Sequence, residues 1–246
     1  MNLLSHMGQF SILMARTFKK PEKMKIFYRQ LMFEIDSLGI GSLGIIAIIS
    51  FFMGAVITIQ TASNIDSALI PAYTVGFTVR QSMILEFAPT IIALILAGKV
   101  GSNIASEIGT MRVSEQIDAL EIMGINSASY LILPKITAAM LINPFLVIIS
   151  MFIGMAGGYL VSWGTGMIPT SEYIYGLEYD FKVFSVYYAV IKTIFFAFII
   201  TAVPSYYGYF TKGGSLAVGA ASTKAVVASS IIILIINYIL TQLLLV

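Results

Sequence analysis

Five long apolar stretches decide what this chain of 246 residues can fold into. They run from about Leu38 to Ser63, Tyr73 to Gly98, Ile136 to Ser162, Val183 to Phe210 and Ala225 to Val246. A helix needs roughly 20 mainly apolar residues to cross a bilayer, and each stretch is long enough. None of them alternates with a period of two, which disfavours a β-barrel. The sequence therefore predicts an all-α integral membrane protein with five transmembrane helices.

Composition and motifs exclude most other classes of protein. Only 11% of the residues are charged, against about 25% in soluble domains, and a net charge of +2 gives no reason to expect a nucleic-acid partner. There is no Cys and only one His, His6, so zinc sites built on these residues are excluded. No stretch fits the phosphate-binding pattern G-x-x-x-x-G-K-[ST]. We expect no catalytic residue, no metal and no ATP hydrolysis in this chain.

The distribution of basic residues predicts the orientation in the membrane. Cytoplasmic segments are enriched in Lys and Arg near the ends of spanning helices. With the N-terminus inside, eleven such residues face the cytoplasm and two face the other side. The eleven are Arg16, Lys19, Lys20, Lys23, Lys25, Arg29, Lys99, Arg112, Lys135, Lys212 and Lys224; the two are Arg80 and Lys182. The pattern predicts a cytoplasmic N-terminus and a C-terminus on the opposite side.

An amphipathic segment precedes the first span. Apolar residues recur at helical spacing from Met24 to Leu38, whereas Lys23, Arg29, Gln30 and Glu34 fall largely off that stripe. The pattern predicts an interfacial helix in the cytoplasmic leaflet; the alternative is a helix that packs on another subunit. The chain is predicted to form a single domain, 1–246, in which 1–37 is the cytoplasmic and interfacial region and 38–246 the five-span region.

A second amphipathic helix is predicted at Thr110–Gly124, in the loop between the second and third spans. An apolar stripe opposes a polar one, and Gly124 suits a left-handed C-terminal cap. The polar stripe consists of Glu115, Gln116, Asp118 and Glu121. Such a helix can dock on a soluble partner, or it can merely connect two spans at the interface, and the periodicity fits both equally.

Three charged residues fall within the predicted spans. Arg80 lies near the outer end of the second span, where its side chain can reach water. Glu86 is about 9 Å deeper and Lys192 lies about 15 Å into the fourth span, at 1.5 Å per residue. Charges at such depth are functional candidates. Glu86 and Lys192 either face a cavity or form a buried structural pair.

Two parts of the sequence resemble the MlaE family of ABC-transporter permeases. The first contains EFAPT from Glu86, GKVGS from Gly98 and SEIGTMRVSEQIDALEIMGIN from Ser106. The second contains GYFTKGGS from Gly208 and VGAASTKAVV from Val218. The family often carries Arg immediately before its Glu, where this chain has Leu85.

The resemblance implies an inner-membrane permease that moves phospholipid between the inner and outer membranes. It implies a homodimer, two cytoplasmic ATPase subunits that bind ATP and magnesium, a periplasmic ring of MCE-domain proteins, and no cofactor in this chain. Glu86 would lie in the lipid cavity, with Gln60 at its polar end. The second amphipathic helix, Thr110–Gly124, would be the helix that couples to the ATPase. Its candidate contact residues are Glu107, Arg112, Glu115, Gln116, Asp118 and Glu121.

Two other functions are compatible with the same residues. An ion-coupled secondary transporter could use Glu86 and Lys192 as a proton relay. A non-transporting scaffold of an envelope complex would need neither residue.

Overall fold

A computed structural model describes residues 3–19, 23–65 and 70–245 of the chain. In this part of the chain there are eight helices and no strand. The helices are α1 (Leu3–Thr17), α2 (Met24–Ser63), α3 (Tyr73–Val113), α4 (Gln116–Ile122), α5 (Ser127–Thr165), α6 (Thr170–Glu178), α7 (Val183–Tyr209) and α8 (Ser215–Leu245). The all-α class is confirmed for the described residues.

Five of the helices, α2, α3, α5, α7 and α8, are long and apolar enough to cross a membrane. The prediction of five spans, in this order, is therefore confirmed, and the protein is a multi-pass membrane protein. Their ends differ from the predicted ones: α3 continues to Val113 instead of ending near Gly98. Its 41 residues are roughly 60 Å long, twice the thickness of the hydrocarbon core. Lys20 and Val246 lie outside the described residues.

The predicted interfacial helix is not separate from the first span. Met24–Ile35 continues through a π-helical turn at Asp36–Ile40 into the rest of α2. Leu31 and Leu38 are buried, as the apolar stripe predicts, but Glu34 is buried as well. The prediction that Glu34 lies off the buried face is therefore wrong. The physical reason is that its carboxylate forms an ion pair with a residue far away in the sequence.

The prediction of one continuous helix over Thr110–Gly124 is wrong. Helix α3 ends at Val113, Glu115 adopts a left-handed conformation with φ of 61°, and α4 begins at Gln116. Arg112 pairs with Asp118 across the break at 2.5 Å. Residues six apart lie on different faces of a continuous helix, so only the break allows this pair to form. Gly124 caps α4 with φ of 78°, as predicted.

Contacts within the chain group into two compact units, of which the first comprises Met1–Gly41, Ala93–Ile142 and Ile194–Val246. Helix α1, which the sequence analysis did not anticipate, belongs to this unit, and His6 Nδ1 lies 2.6 Å from the hydroxyl of Tyr206. Helix α3 packs closely on α7 where Gly208 faces Ala105. It packs on α8 as well, since the hydroxyl of Ser222 donates to the Ser102 carbonyl.

The second unit comprises Ser42–Ile92 and Asn143–Thr193. Helices α2 and α5 approach each other most closely at Gly54 and Gly154, where a Cβ on Gly54 would overlap the Gly154 carbonyl. Glycine at such a crossing lets two backbones touch. Helix α6 packs on the first turns of α3, and its Tyr173 donates a hydrogen bond to the Met155 carbonyl. Burial raises the pKa of Tyr173 to about 12, so the hydroxyl remains a donor at neutral pH.

Candidate functional site

An intramembrane ion pair lies in the second unit. Lys192 Nζ is 2.8 Å from Glu86 Oε1, and it also donates to the hydroxyl of Tyr188 and the carbonyl of Leu85, at 2.7 and 3.2 Å. Lys192 is fully buried, whereas 42% of the Glu86 side chain is exposed. Of the two alternatives left by the sequence, the pair is formed, and Glu86 retains an accessible side.

Local backbone structure brings these groups together. Lys192 and Tyr188 are four residues apart on α7 and so share a face of the helix. Glu86 lies in a π-helical stretch of α3, Met83–Ile91, which also contains Pro89. Proline has no N–H to donate to the helix ladder, and π-helical stretches are frequent at functional sites. Thr90, in the same stretch, donates to Glu86 Oε2 at 3.2 Å.

A groove of about 520 Å³ opens in the same unit. Its polar lining residues are Gln60, Thr61, Asn64, Thr74, Thr78 and Ser82, and its apolar ones are Ile57, Ile65, Ile70 and Phe87. Gln60 thus lines the groove, whereas Glu86 is not part of its wall and precedes the lining residue Phe87. Thr74, Thr78 and Ser82 also line the groove and were not among the predicted site residues. Their spacing of four on a mainly apolar span is the signal that could have identified them.

Contrary to the prediction, the Arg80 side chain does not reach water. It is 2% exposed, and its guanidinium donates to the carbonyls of Leu177 and Asp180 at 2.7 and 3.4 Å. The rings of Phe77 and Phe181 lie 5.2 and 5.5 Å from its central carbon. Such cation–π contacts and charged hydrogen bonds compensate for desolvation. Arg80 therefore links α3 to the last turn of α6 and to the segment that follows it.

Five of the six predicted coupling residues form side-chain contacts within the first unit, including Gln116, which donates to the Ser114 hydroxyl at 3.0 Å. Glu107 pairs with Lys135 at 2.8 Å, and Arg112 pairs with Asp118. Glu121 accepts hydrogen bonds from Ser127 and Tyr209 at 3.0 and 2.9 Å. Glu115 and Gln116 are exposed beside the break that precedes α4.

One of these residues, Glu107, belongs to a cluster of charges that was not predicted from the sequence. Lys135 is 4% exposed and contacts a second carboxylate, that of Glu34, at 2.6 Å. We name Glu34, Glu107 and Lys135 the ion triad. Because its members come from three helices far apart in the chain, no local pattern in the sequence could have revealed it.

Comparisons with known proteins agree on one family. The model of the permease MlaE family matches residues 31–243. A probable ABC transporter permease of Rickettsia bellii is 36% identical over 241 residues, which cover 98% of this chain and 93% of that protein. One from Synechocystis is 34% identical over 219 residues, covering 89% and 83%.

A plant protein is similar as well. The chloroplastic protein trigalactosyldiacylglycerol 1 of Arabidopsis thaliana is 32% identical over 220 residues, which cover 89% of this chain and 63% of that protein. Taken with the five apolar helices, these matches show that the chain belongs to the MlaE family of ABC-transporter permeases.

Proposed function

We propose that this permease moves phospholipids between the inner and outer membranes. It acts as a homodimer with two cytoplasmic ATPase subunits and a periplasmic ring of MCE-domain proteins, and it holds no cofactor of its own. The observation that carries the proposal is the groove of about 520 Å³ whose wall is part polar and part apolar. The plant relative is itself named after a galactolipid, which supports a lipid substrate.

The groove fits an amphipathic ligand chemically. Its hydroxyl and amide groups can donate hydrogen bonds to phosphate and ester oxygens, whereas Ile57, Ile65, Ile70 and Phe87 suit acyl chains. The neighbouring Glu86–Lys192 pair carries no net charge, so it does not repel an anionic phosphate. ATP binding by the partner ATPases then changes the permease conformation and with it the groove.

Transfer of a labelled phospholipid by the reconstituted complex tests this proposal. Replacing Thr78 by Val and Gln60 by Leu together removes two groove donors at nearly constant volume. We expect transfer to fall about tenfold, since each neutral hydrogen bond contributes about 0.5–1.5 kcal/mol. Thr223→Val, on the exposed side of α8, is the matched control. Transfer that needs an ion gradient but no ATPase would instead support a secondary transporter, and no transfer at all would support a scaffold.

Docking of the ATPase is expected on the exposed residues around α4. Glu115 is exposed and forms no ion pair among the described residues, so Glu115→Lys changes the surface without breaking an internal contact. Reversed charge at an interface weakens association, and we expect reduced recovery of the ATPase with the purified permease. Glu178→Lys is an exposed control at the end of α6. Equal recovery from both variants would make Glu115 an ordinary solvated residue.

The proposed orientation places the N-terminus in the cytoplasm and the C-terminus in the periplasm of the inner membrane. It rests on five spans and on the excess of Lys and Arg at the cytoplasmic ends. A reporter that is active only in the periplasm, fused after Val246, should therefore be active. Activity of a cytoplasmic reporter at the same position would contradict the orientation.

A further inference from the structure

A charged cleft of about 360 Å³ lies in the first unit, around the ion triad. The triad residues Glu34, Glu107 and Lys135 line it together with Arg29, Phe33 and Tyr130. The proposed transport function assigns no role to this cleft. Its wall contains two carboxylates and two cationic groups, which is an unusual density of charge at the end of a spanning helix.

The cleft contains both a cationic group and carboxylates that can still bind a ligand. Lys135 contacts one oxygen of each carboxylate. Because the triad combines two carboxylates with one ammonium, it carries a surplus negative charge. Arg29 forms no ion pair or hydrogen bond with any described residue, and 45% of the Glu107 side chain is exposed. The Glu34 side chain is 11% exposed and also lines the cleft.

An exposed apolar strip adjoins this charge. Met24, Tyr28 and Met32 follow one another at intervals of four on α2 and are all exposed, as is Phe33, which also lines the cleft. Phe33 is 70% and Met32 66% exposed. A charged cleft that opens beside exposed apolar side chains fits a ligand with an ionic head and apolar chains.

We propose that this cleft binds a phospholipid whose zwitterionic headgroup carries a primary ammonium, as in the ethanolamine class. Arg29 receives the phosphate oxygens, because a guanidinium binds them with two parallel hydrogen bonds. The carboxylates of Glu34 and Glu107 accept hydrogen bonds from the ammonium, and the acyl chains lie along the apolar strip. This deepens the proposed function, on which it rests, by naming the lipid class and a second site distinct from the groove.

Native mass spectrometry of the full-length protein in detergent tests the headgroup. The probes are phosphatidylethanolamine, phosphatidylcholine and phosphatidylglycerol with identical acyl chains. We expect the ethanolamine lipid to bind about tenfold more tightly than the choline lipid, because a trimethylammonium has no N–H to donate to a carboxylate. A preference for choline would overturn the proposal and would point instead to cation–π binding on Phe33 and Tyr130.

Two variants locate the binding. Arg29→Ala should weaken binding of the ethanolamine lipid about tenfold, and it should fold normally because Arg29 has no partner in the described structure. Glu107→Gln should reduce the preference for ethanolamine over choline. Lys25→Ala, an exposed cation on the same helix, is the control. Unchanged binding and preference in Arg29→Ala would overturn the proposal even if Glu107→Gln failed to fold.

The site can be separated from the proposed transport groove and from soluble ligands. The groove variant with Gln60→Leu and Thr78→Val should keep the ethanolamine preference. If the reconstituted complex of the parent protein transfers no phospholipid but the parent protein still prefers the ethanolamine lipid, the proposed function is wrong and the lipid site in the cleft is still supported. Free O-phosphoethanolamine should compete only weakly, because it cannot contact the apolar strip; competition equal to that of the lipid would overturn the assignment of a lipid ligand.

Discussion

Replacing Glu86 by Gln is expected to lower the free energy of unfolding by about 3–5 kcal/mol. The change removes the carboxylate from the fully buried Lys192 ammonium, which still donates to the Tyr188 hydroxyl and the Leu85 carbonyl. Neither of them carries a charge that compensates for desolvation. The opposite change, Lys192→Met, should cost less, since the Glu86 side chain is 42% exposed and can be hydrated. Unfolding in detergent, monitored by thermal or denaturant titration, measures both effects.

The double variant with Glu86→Gln and Lys192→Met separates structure from transport. We expect it to recover most of the stability lost in Glu86→Gln, because no charge remains buried without a partner. Its transfer of phospholipid then decides the role of Glu86. Recovered stability with normal transfer would make the pair purely structural and remove Glu86 from the lipid path. If the double variant does not recover stability, the loss of the ion pair is not the reason that Glu86→Gln is less stable.

Replacing Gly54 by Ala should destabilise the protein by about 1–3 kcal/mol. The added methyl group would overlap the carbonyl oxygen of Gly154 on α5. A backbone atom cannot turn aside as a flexible side chain can, so the two helices must separate and lose packing along their contact. The same unfolding experiment in detergent measures the change.

Gly44→Ala is the matched control on the same helix. A Cβ at Gly44 meets no atom within 4 Å, and alanine is favoured over glycine in a helix by up to about 1 kcal/mol. We expect this variant to be as stable as the parent or more so. An equal loss of stability in both variants would mean that the close approach of α2 and α5 is not the cause.

The sequence by itself determined the number, order and approximate position of the spanning helices. The reason is that a bilayer imposes a length and an apolar composition on every helix that crosses it, and both are local properties of the chain. The cap at Gly124 was predictable for a similar reason, because a glycine after the last apolar position of a helix adopts positive φ at little cost.

The break at Glu115 was decided by contacts that the sequence does not display. Periodicity predicted a single helix over Thr110–Gly124, because the apolar stripe continues across Ser114 and Glu115. In the structure Arg112 and Asp118 pair over the break, and the side chain of Ile117 is buried. Tertiary packing overrides local propensity at such a point.

The tertiary structure alone also decided which charges meet. Glu86 and Lys192 are more than a hundred residues apart in sequence, as are Glu34 and Lys135, and several other ionic groups were equally available as partners. Arg80 likewise donates to carbonyls in the last turn of α6 and just after it rather than to water. An ion pair depends on distances of a few ångströms between side chains. Such distances follow from how the helices pack, whereas the sequence shows only that each charge needs a partner.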